Sequence, residues 1–224
     1  MRPGVDVAPR KMWPTGMKDL GVEVAGKIPA TEAAETGRAL GRLTDLGWGP
    51  RLRALLGAGP ADGTGPDGPG TGSGDQPAPD DLVAAMVKVL AAWDWAQRPA
   101  GVVTVPSRRH PQLIGSLGRQ LAGLGRLPYL GALAYTWDAG AGPGTPPPAS
   151  GPARHFNSAQ RLRGVWQALA LPADLAAAVE GAGGPVLLVD DQIDTGWTMT
   201  VAARLLRLAG APAVLPFALA VTAG

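Results

Sequence analysis

The amino-acid sequence predicts an α/β fold in which a parallel sheet is flanked by helices, and three observations lead to this prediction. Val186 to Val189 form an uninterrupted apolar run, which is typical of a strand buried on both faces. From 82 to 135 the sequence alternates helix-like and strand-like patterns, as expected for a β–α–β unit. A chain of 224 residues is also long enough to bury one core and to carry a smaller appended segment.

Residues 1–57 are predicted to be a small N-terminal segment appended to the main domain. Within it the stretch 32–46 favours one short helix, and the turn-rich remainder holds tryptophans that we expect to pack. Gly21 to Lys27 come close to a Walker A loop in spacing. However, Ile28 stands where that motif needs a Ser or Thr for Mg²⁺, so we exclude an ATP site here.

Residues 58–79 are rich in Gly, Pro and Asp and are predicted to be a flexible linker, so that residues 80–224 form the main domain. A helix is expected to begin with a cap at Asp80 or Asp81 and to run to about Gln97. The elements expected next are a strand at 101–105, a helix with an apolar stripe from Leu113 to Leu121, and a strand at 129–135.

The strand at 186–189 is followed by the residues with the clearest functional pattern. Asp190 and Asp191 stand where the strand is expected to end, and Thr198 is placed to cap the helix that follows. Backbone N–H groups of residues 195–199 are expected to converge on an anion at the helix N-terminus. Because paired carboxylates accept hydrogen bonds from a ribose diol, this unit suits a sugar phosphate.

Composition limits the remaining functional classes. The absence of cysteine excludes a disulfide, a thiolate nucleophile and a cysteine-ligated zinc site. A net charge of +2 does not by itself indicate a nucleic-acid binder, although the stretch 98–126 carries five arginines and no acid. We expect no signal peptide, and the longest apolar run, 213–221, is too short to cross a bilayer. We therefore expect a cytoplasmic protein without a membrane partner; the sequence gives no indication of its oligomeric state.

Residues 186–198 resemble the signature of type I phosphoribosyltransferases, which have a Rossmann-like fold and bind phosphoribosyl pyrophosphate (PRPP) together with Mg²⁺. The resemblance implies that Asp190 and Asp191 hold the ribose hydroxyls and that Asp194 transfers a proton to or from the base. It implies a 5′-phosphate site at Thr195, Gly196, Trp197 and Thr198. It implies no protein side chain as a direct metal ligand.

The basic turn Ser107-Arg108-Arg109 follows the strand at 101–105, where the family has its pyrophosphate-binding loop. Adjacent arginines can bind pyrophosphate oxygens in bidentate fashion, but a solvated basic turn remains an equally good interpretation. The Gly/Pro-rich stretch 140–153 corresponds to the family's mobile loop and contains no basic residue. The chain thus departs from family members that use a lysine or arginine there, which argues against efficient transfer.

Six stretches resemble the C-terminal part of actinobacterial RecQ-type ATP-dependent DNA helicases. They are 10–16, 41–49, 91–96, 105–109, 157–161 and the phosphoribosyltransferase-like signature 186–198. This resemblance implies an accessory region of a DNA repair helicase, with DNA as a possible partner and without the helicase motor. Three hypotheses stay open. They are an accessory domain that binds PRPP, a nucleotide or a DNA end; a free-standing phosphoribosyltransferase; and a non-catalytic domain that only contacts proteins.

Overall fold

The computed structural model describes residues 3–57, 75–136 and 157–222. These contain eight strands, six α-helices and a short 3-10 helix at Lys18–Leu20. The strands are β1 (Val5–Val7), β2 (Gly37–Arg42), β3 (Gly101–Thr104), β4 (Tyr129–Ala132), β5 (Ala134–Tyr135), β6 (Leu169–Ala170), β7 (Val186–Ile193) and β8 (Val214–Val221). The helices are α1 (Gly49–Leu55), α2 (Asp80–Ala91), α3 (Pro111–Gly125), α4 (Ser158–Ala168), α5 (Ala173–Ala182) and α6 (Trp197–Leu208).

A six-stranded sheet in the order β1-β2-β8-β7-β3-β4 forms the centre of the described residues. All neighbouring strands in it are parallel except β1, which pairs antiparallel with β2 at one edge. Strand β7 lies inside the sheet between β8 and β3, as the continuous apolar run predicted. The strands β5 and β6 form a separate two-stranded antiparallel pair. The predicted α/β fold with a mostly parallel sheet is therefore confirmed.

Side chains of β7 alternate between two apolar clusters on opposite faces of the sheet. Val186 and Leu188 belong to the cluster that includes residues of α4, α5 and α6. Leu187 and Val189 belong to the other cluster, which includes residues of α1, α2 and α3. Helices cover both faces of the sheet, so the side chains on both sides of β7 are buried. This explains why four apolar residues stand in a row.

The N-terminal segment 1–57 contributes β1 and β2 to this sheet, and β2 pairs with β8 from Arg38↔Phe217 to Arg42↔Val221. The prediction of a helix at 32–46 is wrong, because Gly37–Arg42 is a strand. Glycine is a poor helix former, and a Cβ at Gly37 would lie only 2.5 Å from the Pro216 carbonyl oxygen. Pairing with β8, which is distant in the sequence, therefore overrides the local pattern.

Three further details differ from the predictions. Helix α2 begins at Asp80 with Pro79 as its N-cap, so neither Asp80 nor Asp81 caps it. Helix α2 ends at Ala91 rather than near Gln97; beyond its end Trp93 is buried, and its ring stacks on Trp95 with 4.3 Å between centroids. The single strand predicted at 129–135 is divided into β4 and β5, which belong to different sheets.

Most of the predicted linker 58–79, and all of the predicted mobile loop 140–153, lie outside the described residues. The last five residues of the linker are described and pack on α3. There the Asp75 carboxylate accepts hydrogen bonds from the backbone N–H groups of Gln112 and Leu113 at 2.6 and 3.1 Å, and Ala78 is buried.

Candidate sugar-phosphate site

A crevice opens between β3 and β7 at their carboxyl ends. Strand β3 leads through α3 to β4 on one side, whereas β7 leads through α6 to β8 on the other side. Such a reversal of direction is a topological switch point, where open α/β sheets bind their ligands. The predicted site residues that follow β3 and β7 are therefore brought to the same edge of the sheet.

Strand β7 extends past the acidic pair, contrary to the prediction that it ends there. The last bond between β3 and β7 joins the Val105 N–H to the Val189 carbonyl at 2.8 Å. Beyond it β7 stays paired with β8 as far as Ile193↔Val221, which keeps the chain extended. The backbone of Asp190 and Asp191 consequently borders the crevice on the side that β3 has left.

Asp190 is the buried member of the acidic pair, with 5% of its surface exposed. Its Oδ1 accepts a hydrogen bond from the backbone N–H of Asp191 at 2.9 Å. Burial, and next the nearby carboxylate of Asp191, raise the pKa of Asp190 well above its ordinary value. A ligand that donates hydrogen bonds to this carboxylate would favour its charged form.

Asp191 joins the acidic pair to the basic turn. Its Oδ2 accepts a hydrogen bond from the Ser107 hydroxyl at 2.7 Å and lies 3.1 Å from Nδ1 of His110. The Ser107 oxygen in turn accepts the His110 backbone N–H at 3.0 Å. Because the carboxylate lies between the hydroxyl and the imidazole, this cluster lacks the serine–histidine bond of a nucleophilic triad.

His110 was not among the predicted site residues. The signal that could have found it is its position in the turn after β3, because turns after neighbouring parallel strands meet at one edge.

The turn after β3 and the acidic pair border one cavity of about 220 Å³. Its lining includes Ser107, Arg108, Arg109, Asp190 and Asp191. The guanidinium carbon of Arg108 lies 5.0 Å from the centre of the Tyr135 ring, and both arginines are exposed. The structure thus brings the predicted pyrophosphate and ribose residues together.

A second cavity, of about 430 Å³, lies beside the loop that precedes α6. Its lining includes Asp194, Thr195, Gly196 and Thr198. It shares Asp190, Gln192 and Thr198 with the smaller cavity, so the two adjoin. The first backbone N–H groups of a helix have no acceptor within the helix, and three of the residues that carry them here, Gly196, Thr198 and Met199, border this cavity.

The helix α6 begins two residues earlier than predicted. Its N-cap is Gly196, with φ 79°, rather than Thr198, which lies within the first turn and is half-buried. The left-handed φ is readily adopted only by glycine, and it allows the chain to leave β7 and enter the helix at once. The Thr198 hydroxyl is therefore not used for capping.

Trp197 turns its side chain into the core instead of the loop. Only 2% of its surface is exposed, and its ring stacks on Trp13 at 6.4 Å between centroids. It does not line either cavity. A contribution of Trp197 to the predicted phosphate site would therefore come from its backbone N–H.

Asp194 lies at the rim of the larger cavity with 68% of its side chain exposed. Its Oδ1 accepts a hydrogen bond from the Thr222 hydroxyl at 2.9 Å, and its Oδ2 lies 3.5 Å from Nη1 of Arg161. Arg161, on α4, also lines this cavity. Helix α4 is fixed at this end by a reciprocal capping box between Asn157 and Gln160.

Two wider findings apply to the described parts of the chain. They contain no group of three or more His, Cys, Asp or Glu side chains that could hold a metal ion. None of their helices has both the length and the apolar character needed to cross a membrane.

Comparison of the chain with protein-family models and with curated proteins gives no match.

Proposed function

We propose that the chain is a type I phosphoribosyltransferase-like domain that binds PRPP, a nucleotide or another sugar phosphate. The observation that carries the proposal is the placement of three groups around two adjoining cavities at the switch point. These groups are the acidic pair of β7, the loop 195–198 and the turn 107–110. Open α/β sheets bind ligands at such a place, and the residue types match a ribose, a phosphate and a pyrophosphate.

In this proposal the ribose hydroxyls donate to Asp190 and Asp191, and the 5′-phosphate accepts from N–H groups and hydroxyls of Thr195 and Thr198. Arg108 and Arg109 are exposed beside the same cavity, where they can reach pyrophosphate oxygens. Asp191 would share its carboxylate between the ligand and Ser107. Ligand binding therefore acts on the turn after β3 as well as on β7.

Magnesium enters the proposal with PRPP rather than as a resident ion. The donors present are carboxylate and hydroxyl oxygens, which suit Mg²⁺, but Asp191 is already bound to Ser107 and His110. The ion would be held by pyrophosphate and ribose oxygens, with Asp190 and Asp191 on the ribose hydroxyls. When bound, it would neutralise charge on the pyrophosphate.

We further propose that this domain serves as the C-terminal accessory part of a RecQ-type DNA helicase in DNA repair. Support comes from the sequence resemblance in the stretches 10–16, 41–49 and 157–161. Arg119 on α3 and Arg126, the residue after α3, are exposed. Both suit weak phosphate contacts with DNA. Binding of a nucleotide or a DNA end would then regulate or position the motor carried elsewhere.

A second candidate is transfer of phosphoribose to a base by a free-standing enzyme. Asp194 favours it, because this carboxylate lies at the open rim of the larger cavity, where it can exchange a proton with a base. Arg161 supplies a cation at the same rim. If no phosphoribosyl ligand binds, the hypothesis that remains is a non-catalytic domain that only contacts proteins.

Isothermal titration with PRPP and Mg²⁺ tests the proposal on the wild type and on Asp190→Asn, Asp191→Asn and Thr198→Val. The affinity for PRPP should fall in all three variants. The control is Asp94→Asn, because Asp94 is exposed and lies outside both cavities. Loss of binding in the control as well, or no binding by the wild type at millimolar PRPP, would reject the site. Release of pyrophosphate on adding a base would favour the transferase.

A further inference from the structure

Arg10 of the N-terminal segment lies against the loop at 195–198, although 185 positions separate it from Thr195. Its Nε donates a hydrogen bond to the Thr195 carbonyl oxygen at 2.7 Å, and its Nη2 donates to the same oxygen. Its guanidinium carbon lies 5.0 Å from the centre of the Trp197 ring. One exposed arginine therefore joins both ends of the Thr195-Gly196-Trp197 turn.

This arginine approaches the loop from outside the larger cavity. Thr195, Gly196 and Thr198 line that cavity, whereas Arg10 does not. We therefore do not expect Arg10 to contact a bound phosphate directly. Its effect on a ligand must pass through the backbone of the loop.

The geometry of the peptide bond shows what that effect is. In the planar trans peptide between Thr195 and Gly196, the carbonyl and the N–H point in opposite directions. Since the Thr195 carbonyl points to Arg10, the Gly196 N–H points away from Arg10, and Gly196 itself lines the cavity. Arg10 thus orients one of the donors that the proposed 5′-phosphate site needs.

Such an orientation has to be held, because Gly196 occupies the left-handed region with φ 79°. Glycine moves between positive and negative φ at little cost, so this peptide would otherwise be free to turn over. The support beneath Arg10 is a mostly buried aromatic cluster: Trp197 stacks on Trp13, and Trp13 meets the edge of Trp166 with 5.8 Å between centroids. Trp13 follows Arg10 by three residues, which fixes the arginine over the loop.

We propose that Arg10 is a positioning residue for the phosphate end of the ligand, an inference that rests on the proposed function. The residue holds the Thr195–Gly196 peptide so that its N–H is aimed at the phosphate before the ligand arrives. A loop that is already oriented binds with a smaller ordering cost than one that must be turned on binding.

The test is titration of Arg10→Ala and Arg10→Lys with ribose 5-phosphate as the probe. Arg10→Ala should weaken binding by up to about tenfold, because part of the binding free energy is then spent on orienting the loop, and Arg10→Lys should restore part of the affinity. The matched control is Arg204→Ala. Arg204 lies over Trp166 in the same cluster at 4.7 Å and pairs with Glu32 at 2.7 Å, but no contact joins it to the loop.

The Gly196 amide resonance provides a readout that a general loss of stability would not move. In the unliganded protein it should shift in Arg10→Ala and stay in place in Arg204→Ala. Suppose that the wild type binds ribose 5-phosphate, but that Arg10→Ala shows the same Gly196 resonance and the same affinity as the wild type. This result would overturn the inference about Arg10 and leave the proposed function standing. If the wild type binds neither ribose 5-phosphate nor PRPP, the proposed function fails, and the ligand role of Arg10 falls with it.

Discussion

Replacing the buried carboxyl of Asp190 by an amide should change how the stability of the protein depends on pH. Asn is close to Asp in shape, and its carbonyl oxygen can still accept the Asp191 N–H. Burial and the Asp191 carboxylate raise the pKa of Asp190 above its ordinary value of 3.8. The variant has no group to titrate at this position.

The sign of the effect follows from proton binding. Between the ordinary carboxyl pKa and the raised pKa, folded Asp190 keeps its proton and the unfolded chain has released it. The free energy of unfolding therefore decreases as the pH rises through this range, by up to about 1.4 kcal/mol for each pH unit. Below this range both states are protonated, and the wild type and Asp190→Asn should be similarly stable. Above it Asp190→Asn should be the more stable protein.

Urea unfolding from about pH 4 to about pH 8 measures the difference. The gap between Asp190→Asn and the wild type should widen with rising pH, and Asp94→Asn should run parallel to the wild type. Parallel curves for the wild type and Asp190→Asn would refute the reasoning, because Asp190 would then have the same pKa in the folded and unfolded states.

Three further predictions concern other parts of the chain. Thr198→Val should leave the free energy of unfolding in urea nearly unchanged, because Gly196 rather than Thr198 is the N-cap. A decrease in that free energy of about 1 kcal/mol would show that Thr198 caps the helix after all. Trp13→Ala should cost about 3–5 kcal/mol in urea unfolding, since Trp13 is 5% exposed and packs on Trp166 and Trp197, and a cost below about 1 kcal/mol would contradict that packing. Any binding of duplex DNA should be weak and lost as salt rises, measured by fluorescence anisotropy, whereas tight binding at high salt would reveal a recognition surface beyond scattered arginines.

The parts of the site that are close together in the chain were predictable. The apolar run of β7, the acidic pair and the loop before α6 follow one another within residues 186–198. Their order could be interpreted directly, because strand burial and helix N-termini depend on local residue types. Even there, the exact start of α6 was missed, since the left-handed Gly196 could not be distinguished from a capping Thr198 by pattern alone.

The membership of residues 37–42 in the sheet was not predictable in the same way. β2 has two glycines in six residues, and its strand pairing is with β8, near the other end of the chain. A local window contains no information on such a partner. For the same reason the expected helix at 32–46 was wrong.

The sequence by itself determined the fold class, the interior strand and the presence of an acidic pair before a hydroxyl-bearing loop. Only the tertiary structure decided which groups meet them: Ser107 and His110 on Asp191, Arg161 on Asp194, and Arg10 on Thr195. These contacts join residues that are between 33 and 185 positions apart. Local periodicity reports how one segment is buried, whereas the partners of a side chain depend on how distant segments are packed together.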